Sequence, residues 1–131
     1  MHIQKTLLYI DDCQIDHDIL EIRQRAYQLF DHIDHYFDGP SAIEHLFAHK
    51  HDPSKLPDVI FVDLYMVGYD GWHFLNDFER LLPYLIKHIR VYIVTSSVDA
   101  NDLSEAEKYK FVQGYITKPV ALNGANKLDV Y

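Results

Sequence analysis

The stretch TLLYIDD, residues 6–12, decides the fold, because it is an apolar run that ends in the adjacent acids Asp11 and Asp12. Residues 59–64, VIFVDL, repeat the pattern with Asp63 near the end of the run. Nearly continuous apolar runs of this length are typical of parallel strands whose two faces are both covered. An open parallel sheet binds its ligands outside the carboxyl ends of its strands. The two stretches therefore predict a parallel sheet with carboxylates at its ligand-binding edge.

Strand and helix patterns alternate along the rest of the chain. Apolar runs predict strands at residues 6–10, 35–37, 59–64, 89–94 and 112–116. Apolar residues at helical spacing predict helices at residues 13–30, 42–47, 74–82 and from 97 or 99 to about 110. In the first helix the apolar stripe is Ile15, Ile19, Ile22, Ala26 and Leu29. Strands that alternate with helices imply right-handed crossovers, so we expect an α/β fold with a doubly wound, five-stranded parallel sheet.

Composition and charge limit the class of protein. The 131 residues are 48% hydrophobic, which predicts one folded domain over residues 1–131. A formal net charge of -8 argues against nucleic acid or an anionic membrane as the partner. The single cysteine excludes an internal disulfide, and no apolar run reaches the length of a membrane span. These features predict a cytoplasmic protein.

Five polar side chains follow the predicted strands: Asp11, Asp12, Asp63, Thr95 and Lys118. Magnesium prefers oxygen ligands and keeps several waters, so two or three carboxylates suffice to bind it. Carboxylates that lie close together repel one another, and a divalent cation relieves that repulsion. Asp63 could then attack a phosphoryl donor as a nucleophile, while Thr95 and Lys118 share the negative charge of the transferring group. The set predicts phosphoryl transfer.

The order of these motifs resembles the receiver domain of bacterial two-component response regulators, the CheY-like family. The resemblance covers about residues 5–120 and includes Asp11-Asp12, Phe37-Asp38-Gly39, Asp63 with Met66 and Asp70-Gly71, Thr95-Ser96, and Gly114-Tyr115-Ile116-Thr117-Lys118-Pro119. It implies a sheet with strand order 2-1-3-4-5. The final helix would have to come from residues 120–131, where Gly124 and two asparagines predict a short or degenerate helix.

The resemblance also implies a phosphorylation site and a metal site. Asp63 would be the phosphoacceptor that becomes an aspartyl phosphate. Asp12 and Asp63 would ligate Mg²⁺ directly, Asp11 would act largely through water, and the backbone carbonyl of Tyr65 would supply a further ligand.

The remaining positions of the motif imply a switch. Thr95 would hydrogen-bond the phosphoryl group, and Lys118 would pair with it. Tyr115 stands where the family has an aromatic residue that rotates inward when Thr95 is drawn toward phosphate. Pro119 matches a proline that often follows a cis peptide bond.

Three positions depart from the family pattern, and none of them removes a catalytic group. Val67 stands where proline is usual, Ser96 stands where alanine is frequent, and Tyr65 is large for its position. Tyr65 and Ser97 match two variable positions that flank the approach of hydrolytic water. A bulky phenol there predicts slow loss of phosphate.

A phosphorylatable signalling switch is the function that the resemblance implies. A sensor histidine kinase or a phosphotransfer protein would supply the phosphoryl group. A chain of this length leaves no room for an output domain, so the switch would contact a downstream target protein or pass the group on in a relay. A homodimer through the face of helix 4, strand 5 and helix 5 is one form of that contact. Such a protein is not an enzyme beyond self-catalysed phosphoryl transfer and autodephosphorylation.

Two other functions stay open at this point. A phosphohydrolase of the haloacid dehalogenase type would also use an aspartyl phosphate, but it needs an acid two residues after the nucleophile, where this chain has Tyr65. A degenerate, non-phosphorylated receiver-like scaffold would be expected to lack the acids or the lysine. The nine histidines favour a solvated surface over a metal site, because no matching cysteine or acidic pattern accompanies them.

Overall fold

A five-stranded, all-parallel sheet forms the centre of the computed structural model, which describes residues 5–120. The strands are β1 (Thr6–Ile10), β2 (His32–Tyr36), β3 (Val59–Val62), β4 (Arg90–Thr95) and β5 (Val112–Thr117). The helices within this range are α1 (Gln14–Tyr27), α2 (Gly39–Ala48), α3 (Gly71–Leu81) and α4 (Ala100–Ala106), and a single 3-10 turn spans Leu82–Tyr84. The strand order is β2-β1-β3-β4-β5, which confirms the predicted fold class and order. The predicted final helix lies outside the described residues.

The central strands are buried on both faces, as their apolar runs predict. Along β1 and β3 successive side chains enter opposite cores: Leu8 and Ile60 pack in one cluster, and Leu7 and Phe61 pack in the other. All four side chains are fully buried, and each contributes about 1.5–3 kcal/mol relative to an exposed side chain. Among residues 5–120 no helix combines the length and the apolar character needed to cross a membrane.

Aspartates begin three of the helices where the chain leaves the sheet. The Asp38 carboxylate accepts from the backbone N–H of Ser41 at 2.7 Å, and Asp99 caps α4 in the same way. Asp70 and His73 cap α3 reciprocally, since each side chain bonds the backbone N–H of the other residue at 3.0 and 3.1 Å. A cap of this kind is worth about 1 kcal/mol, and it fixes the residue at which each helix begins.

The structure corrects the predicted buried face of α1. Ile15 and Ile22 of the apolar stripe are 68% and 61% exposed, whereas His17 and Leu20 are buried. The imidazole of His17 can be buried because its Nε2 bonds the Asp11 carbonyl oxygen at 2.7 Å. Periodicity therefore identified the helix correctly, but packing selected a different face of it.

Other element boundaries also differ from prediction. The second strand begins earlier than expected, at His32, and ends before the exposed Phe37. Helix α4 ends at Ala106 rather than near residue 110, because the chain turns there with Tyr109 N–H bonded to the Ala106 carbonyl at 3.1 Å. Helix α3 ends at Leu81, and Pro83 lies in the 3-10 turn that follows it.

Gly71 lets α3 begin directly against the end of β3. Its N–H bonds the Leu64 carbonyl at 2.9 Å. A β-carbon at this position would lie 2.4 Å from the Asp63 carbonyl oxygen and 2.7 Å from the Leu64 α-carbon, both backbone atoms that cannot rotate away. The absence of a side chain thus sets the distance between α3 and the acid at the end of β3.

We predict that Gly71→Ala lowers the free energy of unfolding by about 1–3 kcal/mol, the usual cost of overpacking a tight contact. Urea denaturation followed by circular dichroism measures the change. The control is Ser104→Ala on the exposed side of α4, which is expected to stay within about 0.5 kcal/mol of the wild type. Equal stability of Gly71→Ala and the control would contradict the close approach of Gly71 to the backbone of Asp63 and Leu64.

Candidate phosphoryl-acceptor site

The ammonium of Lys118 lies among three carboxylates at the carboxyl edge of the sheet. Its Nζ donates to Asp11 Oδ2 at 2.7 Å, to Asp16 Oδ2 at 2.7 Å and to Asp63 Oδ2 at 3.0 Å. Burial opposes the charged form of Lys118, but the hydrogen bonds from its ammonium to Asp11 and Asp16 outweigh burial and raise its pKa. The lysine is therefore held as a cation beside the carboxylate that sequence analysis singled out as the nucleophile.

The position of Lys118 is set by backbone pairing at the end of the sheet. Lys118 follows β5 directly, and its N–H bonds the Thr95 carbonyl at 2.9 Å, which extends the pairing of β4 and β5 by one residue. The peptide bond between Lys118 and Pro119 is cis, as the resemblance predicted.

Asp63 follows the last residue of β3 and is only 6% exposed. Burial raises the pKa of its carboxyl group above the ordinary value, while the Lys118 ammonium and hydrogen bonds from Lys118 and Thr95 act in the opposite direction. The backbone N–H of Tyr65 approaches Oδ1 at 3.4 Å. A partly desolvated carboxylate with one oxygen on a cation is well placed to act as a nucleophile.

The adjacent acids of the first motif have different surroundings. Asp11 is fully buried, and its Oδ2 accepts from both Lys118 and the Tyr9 hydroxyl, the latter at 2.5 Å. Burial and the hydrogen bond to Asp11 raise the pKa of Tyr9. Asp12 is exposed, and its Oδ2 accepts from the backbone N–H of Val67 at 3.0 Å. Of these two adjacent acids, Asp11 thus joins Asp16 and Asp63 on the ammonium, whereas Asp12 bonds the loop that follows β3.

The donor set near Asp63 fits a hard divalent cation. Within residues 5–120 no three acidic, histidine or cysteine side chains are arranged as a complete metal cage. Magnesium does not need one, because it is commonly bound by one or two carboxylates together with waters. Asp12 and Asp63 offer carboxylate oxygens, and the Tyr65 backbone adds a carbonyl, so the chemistry of these donors is compatible with the predicted Mg²⁺.

Thr95 and Tyr115 are joined through Ser97. The buried Thr95 hydroxyl oxygen accepts from the Ser97 N–H at 3.4 Å, and the Tyr115 hydroxyl donates to the Ser97 carbonyl at 3.1 Å. The structure therefore connects the predicted hydroxyl and the predicted switch residue by one short segment of backbone.

Sequence reasoning missed Asp16 and His17, both in the first turn of α1. An acid in a first helical turn has an ordinary explanation in the helix dipole, so Asp16 gave no distinct signal. The prediction that the histidines are solvated is wrong for His17, which is 1% exposed. Its ring bonds the Asp11 carbonyl and His35 Nδ1, each at 2.7 Å, while His35 Nε2 lies 2.7 Å from Glu21 Oε1. Burial lowers the pKa of His17.

A family model described as the response regulator receiver domain matches residues 7–127. The chain belongs to this family. Receiver domains are signalling modules of two-component systems and are not enzymes in the usual sense, so the phosphohydrolase alternative is not retained. A search of curated proteins finds no match to the sequence.

Solved structures support the same assignment. A two-component response regulator from Cytophaga hutchinsonii is 25% identical, with a TM-score of 0.83 over 95% of this chain and 94% of that one. A response regulator receiver protein from Dyadobacter fermentans is also 25% identical, with a TM-score of 0.74 over 88% and 87% of the two chains. The Mn²⁺-bound form of response regulator Rcp1 is 23% identical, with a TM-score of 0.71 over 94% and 87%, and shares the fold.

We predict that Asp63→Asn raises the melting temperature at pH 7. Because burial raises the pKa of Asp63, the folded state binds its proton more tightly than the unfolded state does. The contribution of this carboxyl to stability therefore falls as pH rises through the raised pKa. The neutral amide of asparagine does not ionise and so avoids this loss of stability. The rise in melting temperature is therefore smaller at pH 4 than at pH 7.

Differential scanning calorimetry at the two pH values measures this gain. Asp18→Asn, on the exposed side of α1, is the matched control and is expected to change the melting temperature equally at both. A lower melting temperature for Asp63→Asn at pH 7 would show that attraction to Lys118 exceeds the cost of burial.

Proposed function

We propose that this receiver domain accepts one phosphoryl group on Asp63 from a phosphohistidine of a sensor histidine kinase or a phosphotransfer protein. The observation that supports this most directly is the Asp63 carboxylate, which is almost fully buried and lies 3.0 Å from the Lys118 ammonium at the ligand-binding edge of the sheet. Asp11 also follows a strand, is buried and bonds Lys118, but its Oδ2 accepts in addition from the Tyr9 hydroxyl at 2.5 Å and its Oδ1 from the Cys13 N–H at 3.0 Å. Both oxygens of Asp11 are thus engaged by closer donors than those of Asp63, which favours Asp63 as the acceptor.

The proposed reaction transfers a phosphoryl group from nitrogen to oxygen. An Asp63 carboxylate oxygen forms a bond to phosphorus, the phosphorus–nitrogen bond breaks, and its electron pair returns to the imidazole of the donor. Lys118 and the Thr95 hydroxyl stabilise the charge on the equatorial oxygens. Asp12, Asp63 and the Tyr65 carbonyl would hold Mg²⁺, with Asp11 acting through water, and the bound cation would supply further positive charge; the structural neighbour Rcp1 has a Mn²⁺-bound form.

The apolar stripe on α1 supports a protein as the phosphoryl donor. Ile15 and Ile22 are exposed, and Ile15, in the first turn of α1, follows Asp12 by three residues. A phosphohistidine must approach Asp63 closely, so the donor protein must pack against the elements that surround this edge. Large exposed apolar side chains in such a place favour a protein contact.

The face of α4 and β5 is our proposed output surface, where a downstream target or a second copy of the chain binds. Leu103 is 40% exposed there, and a groove of about 470 Å³ runs between the two elements beside Tyr115. The hydrogen bond from Tyr115 to Ser97 links this groove to Thr95, so a shift of the Thr95 hydroxyl toward a phosphoryl group changes the same surface.

We predict that acetyl phosphate with Mg²⁺ adds one phosphoryl group to the wild-type chain and none to Asp63→Asn. Intact mass spectrometry measures the label. Lys118→Ala slows labelling by about 10²-fold, the usual cost of removing one charge-stabilising donor. Asp18→Asn is the control with an unchanged rate. Label on Asp63→Asn would place the acceptor elsewhere and contradict the proposal.

We predict that Ile15→Ala combined with Ile22→Ala slows phosphotransfer from a protein donor by about tenfold, the effect of losing about 1.4 kcal/mol of contact energy. Autophosphorylated histidine kinases from the same cell serve as donors. The kinase that labels the wild type fastest is then used to compare the rates of the wild type and the double variant. Acetyl phosphate is expected to label the wild type and the double variant at the same rate, because this small donor does not touch α1. Ile86→Ala, 62% exposed and located before β4, is the matched control. Equal loss with both donors would mean that α1 is not the docking surface.

A further inference from the structure

The side chain of Tyr65 reaches from the loop after β3 to helix α4. Its hydroxyl donates a hydrogen bond to Asp102 Oδ2. The Ser97 hydroxyl donates to the same carboxylate oxygen at 2.6 Å. Tyr65 follows Asp63 by two residues, and Ser97 follows Thr95 by two residues. One carboxylate of α4 therefore holds a residue from each of the two loops that flank the phosphoacceptor.

We infer that Asp102 is a positioning residue, which holds the Tyr65 phenol across the two loops that flank Asp63 and thereby sets the lifetime of the aspartyl phosphate. The inference rests on the proposed phosphorylation of Asp63. Hydrolysis requires a water in line with the bond between the carboxylate oxygen and phosphorus. A phenol tied to α4 spans the gap between the two loops and restricts the access of that water.

Asp102 is the main partner of the Tyr65 hydroxyl, which also interacts with the Ser97 side chain. The Tyr65 residue is 57% exposed, so packing leaves its side chain free to change rotamer once the hydroxyl bond is lost. Its backbone, in contrast, is fixed beside the acceptor, with the N–H 3.4 Å from Asp63 Oδ1. Loss of Asp102 is therefore expected to release the ring without displacing the acceptor.

The charge pattern agrees with this contact. The hydrogen bond to Asp102 raises the pKa of Tyr65, and hydrogen bonds from Ser97 and Tyr65 lower the pKa of Asp102. The phenol stays protonated and the carboxylate stays ionised at neutral pH, which are the two states that the bond needs.

A purely structural role for Asp102 makes a different prediction. Asp102 lies in the first turn of α4, where an acid stabilises the helix through its dipole. That role would act on the stability of α4 and would not depend on the Tyr65 hydroxyl. A double-mutant cycle between the two residues separates the alternatives.

The test follows the loss of label from Tyr65→Phe, Asp102→Ala, the double variant and the wild type. Each protein is labelled with acetyl phosphate and Mg²⁺, the donor is removed, and intact mass gives the half-life. We expect each single variant to shorten the half-life about threefold, at the low end of the effect of losing one ordinary hydrogen bond because this bond is exposed, and the double variant to match the singles. Asp99→Ala removes the cap of α4 without touching the phenol and is expected to leave the half-life unchanged.

An absorbance titration of tyrosinate supplies a second readout. Asp102→Ala is expected to let one tyrosine ionise at lower pH, and this change should vanish in the Tyr65→Phe background. An unchanged half-life in Tyr65→Phe, or threefold effects that multiply in the double variant, would overturn the inference while leaving the phosphorylation of Asp63 intact. A wild type that takes no label at all would overturn the proposed function and this inference with it.

Discussion

The ammonium of Lys118 is the charge around which the site is organised. It is shared by carboxylates from the end of β1, the first turn of α1 and the end of β3, namely Asp11, Asp16 and Asp63. Without the cation, these acids would repel one another in a partly buried place. Loss of the lysine would leave several buried carboxylates without their shared cation, a change that typically costs about 3–5 kcal/mol, so the lysine helps to hold the elements together as well as the site.

The parallel sheet determines where these charges meet. Hydrogen bonding continues one residue past the strand ends: the Asp11 N–H bonds the Tyr36 carbonyl at 3.1 Å, and the Asp63 N–H bonds the Ile10 carbonyl at 3.0 Å. The backbone of each acid is thus fixed by a neighbouring strand. Because all strands run in the same direction, their carboxyl ends lie at one edge, and side chains from distant parts of the chain converge there.

Two clusters at this edge have different exposure. The buried cluster on Lys118 presents the acceptor and balances its charge. The more exposed cluster, formed by Tyr65, Ser97 and Asp102, ties the two flanking loops to α4. The first is the proposed site of phosphoryl transfer, and the second lies between that site and the proposed output surface on α4 and β5. A single edge of the sheet can therefore carry both the reaction and its control.

The sequence by itself determined the fold and the main residues of the site. Apolar runs identify buried strands, and a polar residue directly after a run must lie at the edge, so Asp11, Asp63 and Thr95 were predictable from local pattern. Family resemblance added the roles proposed for Lys118 and Tyr115. These features depend on short-range pattern and motif order, which are both visible in a linear chain.

Only the tertiary structure decided which side chains meet. Lys118 and Asp16 lie 102 residues apart in sequence, and Tyr65 and Asp102 lie 37 apart. Such contacts depend on how each helix rotates against the sheet and on side-chain rotamers, and neither leaves a periodic signal. The same reason explains α1, where spacing marked an isoleucine stripe while packing buried His17 and Leu20. Local pattern fixes which element forms, whereas long-range packing fixes which of its faces turns inward.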